Sequence, residues 1–435
     1  MAGERDATTG RRRTTRRGLL AVAGATALAG CTDLSEFGGG NDPTISAYDL
    51  REIDPGDDPE PVIPESVPVD IAPAQFDAAR NRVTSLLAEL PTPLGPEEIP
   101  NGHVRRHLLD AATAATNGLD DARDAPTALA ALTSLRRARS EARYAAAGWA
   151  VADRDLSADP LEQEYEAVVS EAQSARNAHE YVGTDPVRAA LVHSRIEELL
   201  DRAAESEEPR GDGSHLLSVA EWGETTESAR AHLDDARHLD AQFADSLPAN
   251  PGSVEATLTE AAETLLADIR SRTSALPPEP TADEWGIPER AIADLRRDAA
   301  YGITRLSDAA GPASAVVDAN RQRTRFRALA RLQERVAADD VPDPESAEAV
   351  REIRGTASDA LEAALAESST PELTRTAITG AAWRVANADW AISQHEGEIS
   401  PSQLDLDVAD YVIATAVGRA APAVTERTVE ALEGV

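Results

Sequence analysis

The chain contains no lysine: all 42 of its basic residues are arginine. A phosphate-binding loop of the Gly-Lys-Ser/Thr type is therefore excluded. There is one cysteine, so no disulfide can form within the chain and no cysteine-based metal site can be built. The one methionine is Met1, which leaves no methionine for copper sites or methionine-lined grooves. Aromatic residues make up only 3% of the sequence, so alanine, leucine and valine must build most of any core. Nucleophile elbows, dinucleotide fingerprints and the Asn-x-Ser/Thr sequon are also missing. The longest apolar run near the N-terminus, 19–30, falls short of the roughly 20 residues that a membrane span needs.

What is abundant is acid. Asp and Glu number 77, giving a formal charge of −35 over 435 residues. Such a chain repels itself in dilute salt, and the repulsion fades as the Debye length falls to about 3 Å at molar salt. Acid excess, absent lysine and few aromatics together resemble proteins of salt-loving archaea; a GC-rich genome would also favour arginine, alanine, glycine and proline. Nucleic acid is not an expected partner, because phosphate binding needs a basic stripe.

Arginines 11–13 precede Thr14-Thr15-Arg16-Arg17-Gly18-Leu19-Leu20. This resembles a twin-arginine export signal, with Arg16 and Arg17 as the matched pair, and implies a protein exported in its folded state. The run that follows ends in Leu28-Ala29-Gly30-Cys31, which resembles a lipobox. The small residues let a peptidase approach the bond before Cys31, and the resemblance implies that Cys31 carries a thioether-linked lipid. Residues 1–30 hold six arginines and two acids, a net of +4, which leaves the chain from Cys31 at −39. The resemblance, to haloarchaeal-type twin-arginine-exported lipoprotein precursors, is confined to residues 1–31.

Residues 31–72 are rich in Gly, Pro and Asp and read as a disordered tether, spanning about 35 Å as a flexible coil. Ile45 to Ile53 is the exception and could dock as an extended strand. From 73 to 435 the pattern is helical. Val254, Leu258, Ala261, Leu265 and Ile269 recur at three- and four-residue steps, as do Val187, Leu191, Ile196 and Leu199. Asp159-Pro160, Asp185-Pro186 and Asp343-Pro344 read as capped helix starts. Helices are expected near 74–90, 98–118, 126–153, 160–182, 186–207, 214–246, 253–275, 283–310, 312–338, 345–368, 371–395 and 402–432. The fold class is all-α, a bundle or irregular array of about a dozen helices. Breaks at 207–213 and 247–252 are candidate boundaries, the latter between two halves.

Four groups could carry chemistry. His103 and His107 lie one turn apart with Asp110 on the same face, the spacing of a Zn or Ni chelate, though Arg105 and Arg106 oppose a cation. His232, Asp235 and His238 form a similar cluster. Asp153, Asp155 and Asp159, with Glu164 at the twelfth place, look like a calcium loop, but Ala158 stands where glycine is normal and Pro160 follows, so a capped turn between helices is the expected reading. Trp383 and Trp390, seven apart with Tyr411 nearby, are expected in the core, with an apolar ligand groove as the other reading. No cofactor is implied and no catalytic residues stand out. The expected function is binding or scaffolding by a lipid-anchored protein on the extracytoplasmic face of the cell membrane, with the membrane and a surface protein as partners. The alternatives are a small-ligand or metal-binding lipoprotein of a transport system, and an enzyme of unrecognised site.

Overall fold

A computed structural model describes residues 43–51, 63–91, 93–209, 214–281 and 285–434. Arg16, Arg17, Leu28, Ala29, Gly30 and Cys31 lie outside the described residues. All twelve expected helices are present. After a short α1 (Ala47–Leu50), they are α2 (Pro73–Leu87), α3 (Gly102–Asp124), α4 (Ala128–Arg154), α5 (Asp159–Asn177), α6 (Pro186–Ala204) and α7 (His215–Asp245). Then come α8 (Glu255–Ser274), α9 (Ile287–Ser307), α10 (Pro312–Ala337), α11 (Ala347–Glu367), α12 (Pro371–Ser393) and α13 (Asp405–Glu433). The fold is all-α. Among the described residues the extended structure amounts to two-residue strands in two antiparallel pairs. In one, β1 (Ile45–Ser46) meets β4 (Glu398–Ile399); in the other, β2 (Val182–Gly183) meets β3 (Gly252–Ser253).

Helix starts follow local chemistry. The Asp185 carboxylate accepts from the N–H groups of Val187 and Arg188, and Pro186 needs no partner there. The other two Asp-Pro pairs act differently. Ser346, not Asp343, caps α11 through the Ala349 N–H, so that helix starts three residues past Pro344. Asp159 lies inside the first turn of α5, placing its charge at the positive end of the helix without bonding to it.

Two central helices organise the body. In the first half α4 and α7 pack along each other, with α2, α3, α5 and α6 around them. In the second, α13 runs among α9, α10, α11 and α12. Between Tyr411 and Thr425 the only charge on α13 is Arg419, and Tyr411, Ile413, Ala414 and Ala420 are almost wholly buried. Gly418 lets α13 approach α11 closely: a Cβ there would stand 2.7 Å from the Ala360 carbonyl oxygen. The halves join where α6 meets α10, and one cluster of buried residues runs through both, including Ile196, Leu233, Phe243, Leu258, Leu265 and Val316. From Pro43 onward the chain is one compact unit.

Part of the segment that composition assigns to the tether lies on this body. Ile45 and Leu50 are buried in the core of the second half, and Ala47 donates to the Gly397 carbonyl. Residues 63–72 form a strap across both halves. Ile63 is buried in the second half's cluster and Ile71 in the shared one. A few well-spaced isoleucines suffice to hold a Pro-rich stretch whose average composition is polar.

Candidate functional site

Where α4, α6, α10 and α12 converge beneath the strap, a polar cleft of about 510 Å³ opens. A smaller recess adjoins it, sharing Glu65, Arg195 and Arg321. Six arginines line the two: Arg136 from α4, Arg195 and Arg202 from α6, Arg321 and Arg325 from α10, and Arg375 from α12. Five acids share the walls, Glu65, Glu198, Asp201, Asp308 and Asp318. Trp383 stands at the rim, 43% exposed.

The charges are ordered by short-range pairs. Arg195 bonds Glu198 one turn on at 3.0 Å and closes a second ion pair with Glu65 of the strap. Arg321 pairs with Asp318 and donates its Nε to the Thr376 carbonyl at 3.2 Å. Asp201 turns to Arg176 at 3.0 Å. Arg202 is exposed and forms no ion pair among the described residues. Burial works to raise the Glu65 carboxyl, but the charge and hydrogen bond of Arg195, with Arg321 and Arg202 beyond, hold it below the usual carboxylate range.

The strap is fixed independently of that carboxylate. Arg375 and Arg188 donate to the carbonyls of Pro64 and Pro68, and the Thr127 hydroxyl donates to the Glu65 carbonyl. The Ser66 hydroxyl reaches Glu372 at 2.6 Å.

A second polar cluster lies near the same seam. His179 Nε2 is 3.0 Å from His193 Nδ1, and His193 Nε2 is 2.8 Å from the Val182 carbonyl oxygen. A carbonyl can only accept, so His193 donates from Nε2 and accepts at Nδ1 from His179. Burial pushes both imidazoles down to about 4, so both are neutral at pH 7. Beside them Glu197 accepts the N–H groups of Ala313 (3.1 Å) and Ser314 (2.6 Å), capping α10 from α6. Sequence reasoning missed this cluster. The available signal was that His193 and Glu197 lie on α6 among buried apolar positions.

The sequence candidates fare differently. His103 and His107 do meet, their rings edge to face with centroids 4.5 Å apart, near the start of α3. No group of three or more His, Cys, Asp or Glu able to hold a metal forms among the described residues. The calcium-loop pattern is a helix end and a helix start. Asp155 takes the left-handed conformation that ends α4 (φ 56°), while Ala158, at the place where a calcium loop turns, is right-handed. Asp153 is the last acid of α4, and Glu164 faces Arg143 and Arg230 at 3.5 and 3.3 Å. His232, Asp235 and His238 do not converge. Asp235 is enclosed by Arg136 and Gln75, His232 contacts the Ser228 carbonyl, and His238 accepts the Ala72 N–H. The tryptophan stripe is not core: Trp390 is 47% exposed, like Trp383, while Tyr411 is buried and donates to Asp389 at 2.6 Å. Alanine fills the inner face of α12, which moves the large rings outward.

Residues 74–250 are similar to one domain of unknown function (DUF8262), and residues 255–430 to a second (DUF8264). No curated protein and no solved structure matches the chain significantly. The two matches meet across 251–254, where β3 lies. The cleft draws Arg136, Arg195 and Arg202 from the first matched region and Arg321, Arg325 and Arg375 from the second.

Proposed function

We propose that this chain is exported by a twin-arginine route, held on the extracytoplasmic face of the cell membrane by lipid on Cys31, and works there as a binding protein. For the anchor, the support is that the only cysteine follows Leu28-Ala29-Gly30. No helix among the described residues is long and apolar enough to cross a membrane. For binding, the observation that carries the reading is the cleft, which both matched regions build together. Its volume falls in the range of small-molecule sites and favours a small ligand over a purely scaffolding role.

Cell fractionation tests the anchor. Cys31→Ser should move the protein from the membrane fraction to the medium, or leave it unprocessed. A variant that stays membrane-bound and normally cleaved overturns the lipid assignment. Replacing Arg16 and Arg17 by Lys should hold precursor inside the cell, with arginines 11–13 as partial substitutes. Native mass spectrometry of the purified mature chain tests binding: retained small ligand supports the cleft, and a stable complex with another protein supports the scaffolding alternative.

A further inference from the structure

We infer that the cleft binds a small oxyanionic molecule, a carboxylate or a phosphate, and that the Glu65 side chain occupies the anion position until such a ligand displaces it. This deepens the binding reading and rests on it, but not on the lipid anchor.

The first ground is local charge. Acids outnumber arginines 77 to 42 in the chain, yet in the cleft six arginines face five acids. One of the five, Glu65, belongs to the strap rather than to the helices that form the walls. With its side chain swung out, six arginines face four acids. Glu198, Asp201 and Asp318 have arginine partners, that of Asp201 being Arg176 outside the cleft, while Arg136 and Arg375 pair with Asp235 and Glu372 beyond the wall. Guanidinium groups bind carboxylate and phosphate through paired N–H donors, so such a concentration suits a planar or tetrahedral oxyanion.

The second ground is donor capacity. Arg202 is exposed without an ion pair among the described residues, and the buried Nε of Arg375 makes no hydrogen bond among them, although Glu372 stands 3.5 Å away. Arg195 would lose its strap partner on displacement and keep Glu198.

The third ground is how the strap is held. Its backbone is tied down at Pro64, Glu65 and Pro68 and its ends by Ile63 and Ile71. Exchange therefore needs rotation of one half-exposed side chain, not release of the strap. Trp383 at the rim offers a flat apolar wall to the organic part of the ligand.

The test uses the purified mature chain carrying Cys31→Ser, at a fixed molar concentration of potassium chloride. Citrate, inorganic phosphate and, as a neutral control, glycerol are titrated calorimetrically. At least one anion should bind and raise the melting temperature, and glycerol should not. Glu65→Gln removes the competing charge and should tighten binding about tenfold, while Arg202→Gln, at an exposed position that spares the fold, should weaken it about tenfold. Binding of citrate alone assigns a carboxylate ligand; binding of phosphate alone assigns a phosphate. The proposal is overturned if neither anion binds the parent or Glu65→Gln at millimolar concentration, or if neither substitution changes the affinity. Failure of the anchor in fractionation leaves these titrations unaffected, so the two ideas fall separately.

Discussion

The two matched regions carry nearly the same charge, 17 arginines against 32 acids in 74–250 and 18 against 31 in 255–430, yet they bury it differently. In the first, ion pairs lie in the seam between the two central helices. Arg136 meets Asp235 at 2.7 Å and Arg139 meets Glu227 at 2.8 Å, all four residues at most 6% exposed. Arg82 of α2 closes on the same Glu227 at 2.6 Å. In the second, the stretch of the central helix from Tyr411 to Thr425 carries no charge but Arg419, and the arginines reach inward from its neighbours. Arg354 of α11 holds Asp389 of α12, and Arg384 bridges Asp298 of α9 and Asp410 of α13. Buried polarity close to α13 is mostly neutral, as in the Thr428 hydroxyl that donates to Asn320.

Partner number decides what burial does to these groups. Burial drives Glu227 up, but Arg82 and Arg139 together hold it below the usual carboxylate range. Asp235 has one arginine and Gln75, and burial wins, pushing it up. A buried ion pair is weak evidence of stability, whereas breaking one is costly because the remaining charge cannot reach water.

Salt should have the largest effect, because it acts on every carboxylate in both regions. Melting temperature and helicity by circular dichroism should rise steeply from millimolar to molar potassium chloride. A flat profile would leave the composition as a matter of codon usage.

Substitutions separate the regions. Glu227→Ala removes the acid that Arg82 and Arg139 share and leaves buried Arg139 only the half-exposed Asp234, and should cost about 3 kcal/mol in denaturant unfolding. Asp389→Asn should cost less, about 1.5–3 kcal/mol, since Arg354 is 32% exposed and can turn to water while Tyr411 keeps an acceptor. Equal losses would show that the location of the pairs does not matter. Gly418→Ala must move α13 against backbone of α11, and should cost about 1–3 kcal/mol with native helicity retained.

Acid should act in opposite directions on the buried histidines of the first region and on Asp407 of the second. Burial lowers His179 and His193 to about 4, so between pH 6.5 and 4 the unfolded chain binds more protons and stability falls as pH falls. Asp407, on α13, is raised by burial and by the Asp410 charge to about 6. Its charged form is penalised in the fold, so its contribution improves as pH drops from 6 towards 3.8. Asp407→Asn should therefore stabilise at pH 7, on the order of 1–2 kcal/mol, with the gain gone at pH 4. His193→Gln, which can still donate to Val182, should flatten the acid limb of the melting profile by at most about 1.4 kcal/mol per pH unit. An unchanged slope would place the proton uptake elsewhere.

The sequence by itself determined the helical class and the approximate place of every long helix, because apolar spacing is a local signal that packing does not overrule here, although of the three Asp-Pro pairs only Asp185-Pro186 caps its helix as read. It also carries the signal and lipobox resemblance, which is a matter of contiguous residues. Only the tertiary structure decided the rest. Whether an acid is a metal ligand or an arginine's partner depends on which helix faces it: Glu164 reads as a twelfth ligand in sequence and turns out to lie between Arg143 and Arg230. Trp383 and Trp390 share a helix face, but that face points outward because alanines already fill the inner one. The cleft was not legible at all, since Glu65, Arg195, Arg321 and Arg375 come from four separated stretches. Charges so far apart in the chain show no pattern along it, and only close packing of α6 on α10 brings them within reach of one ligand.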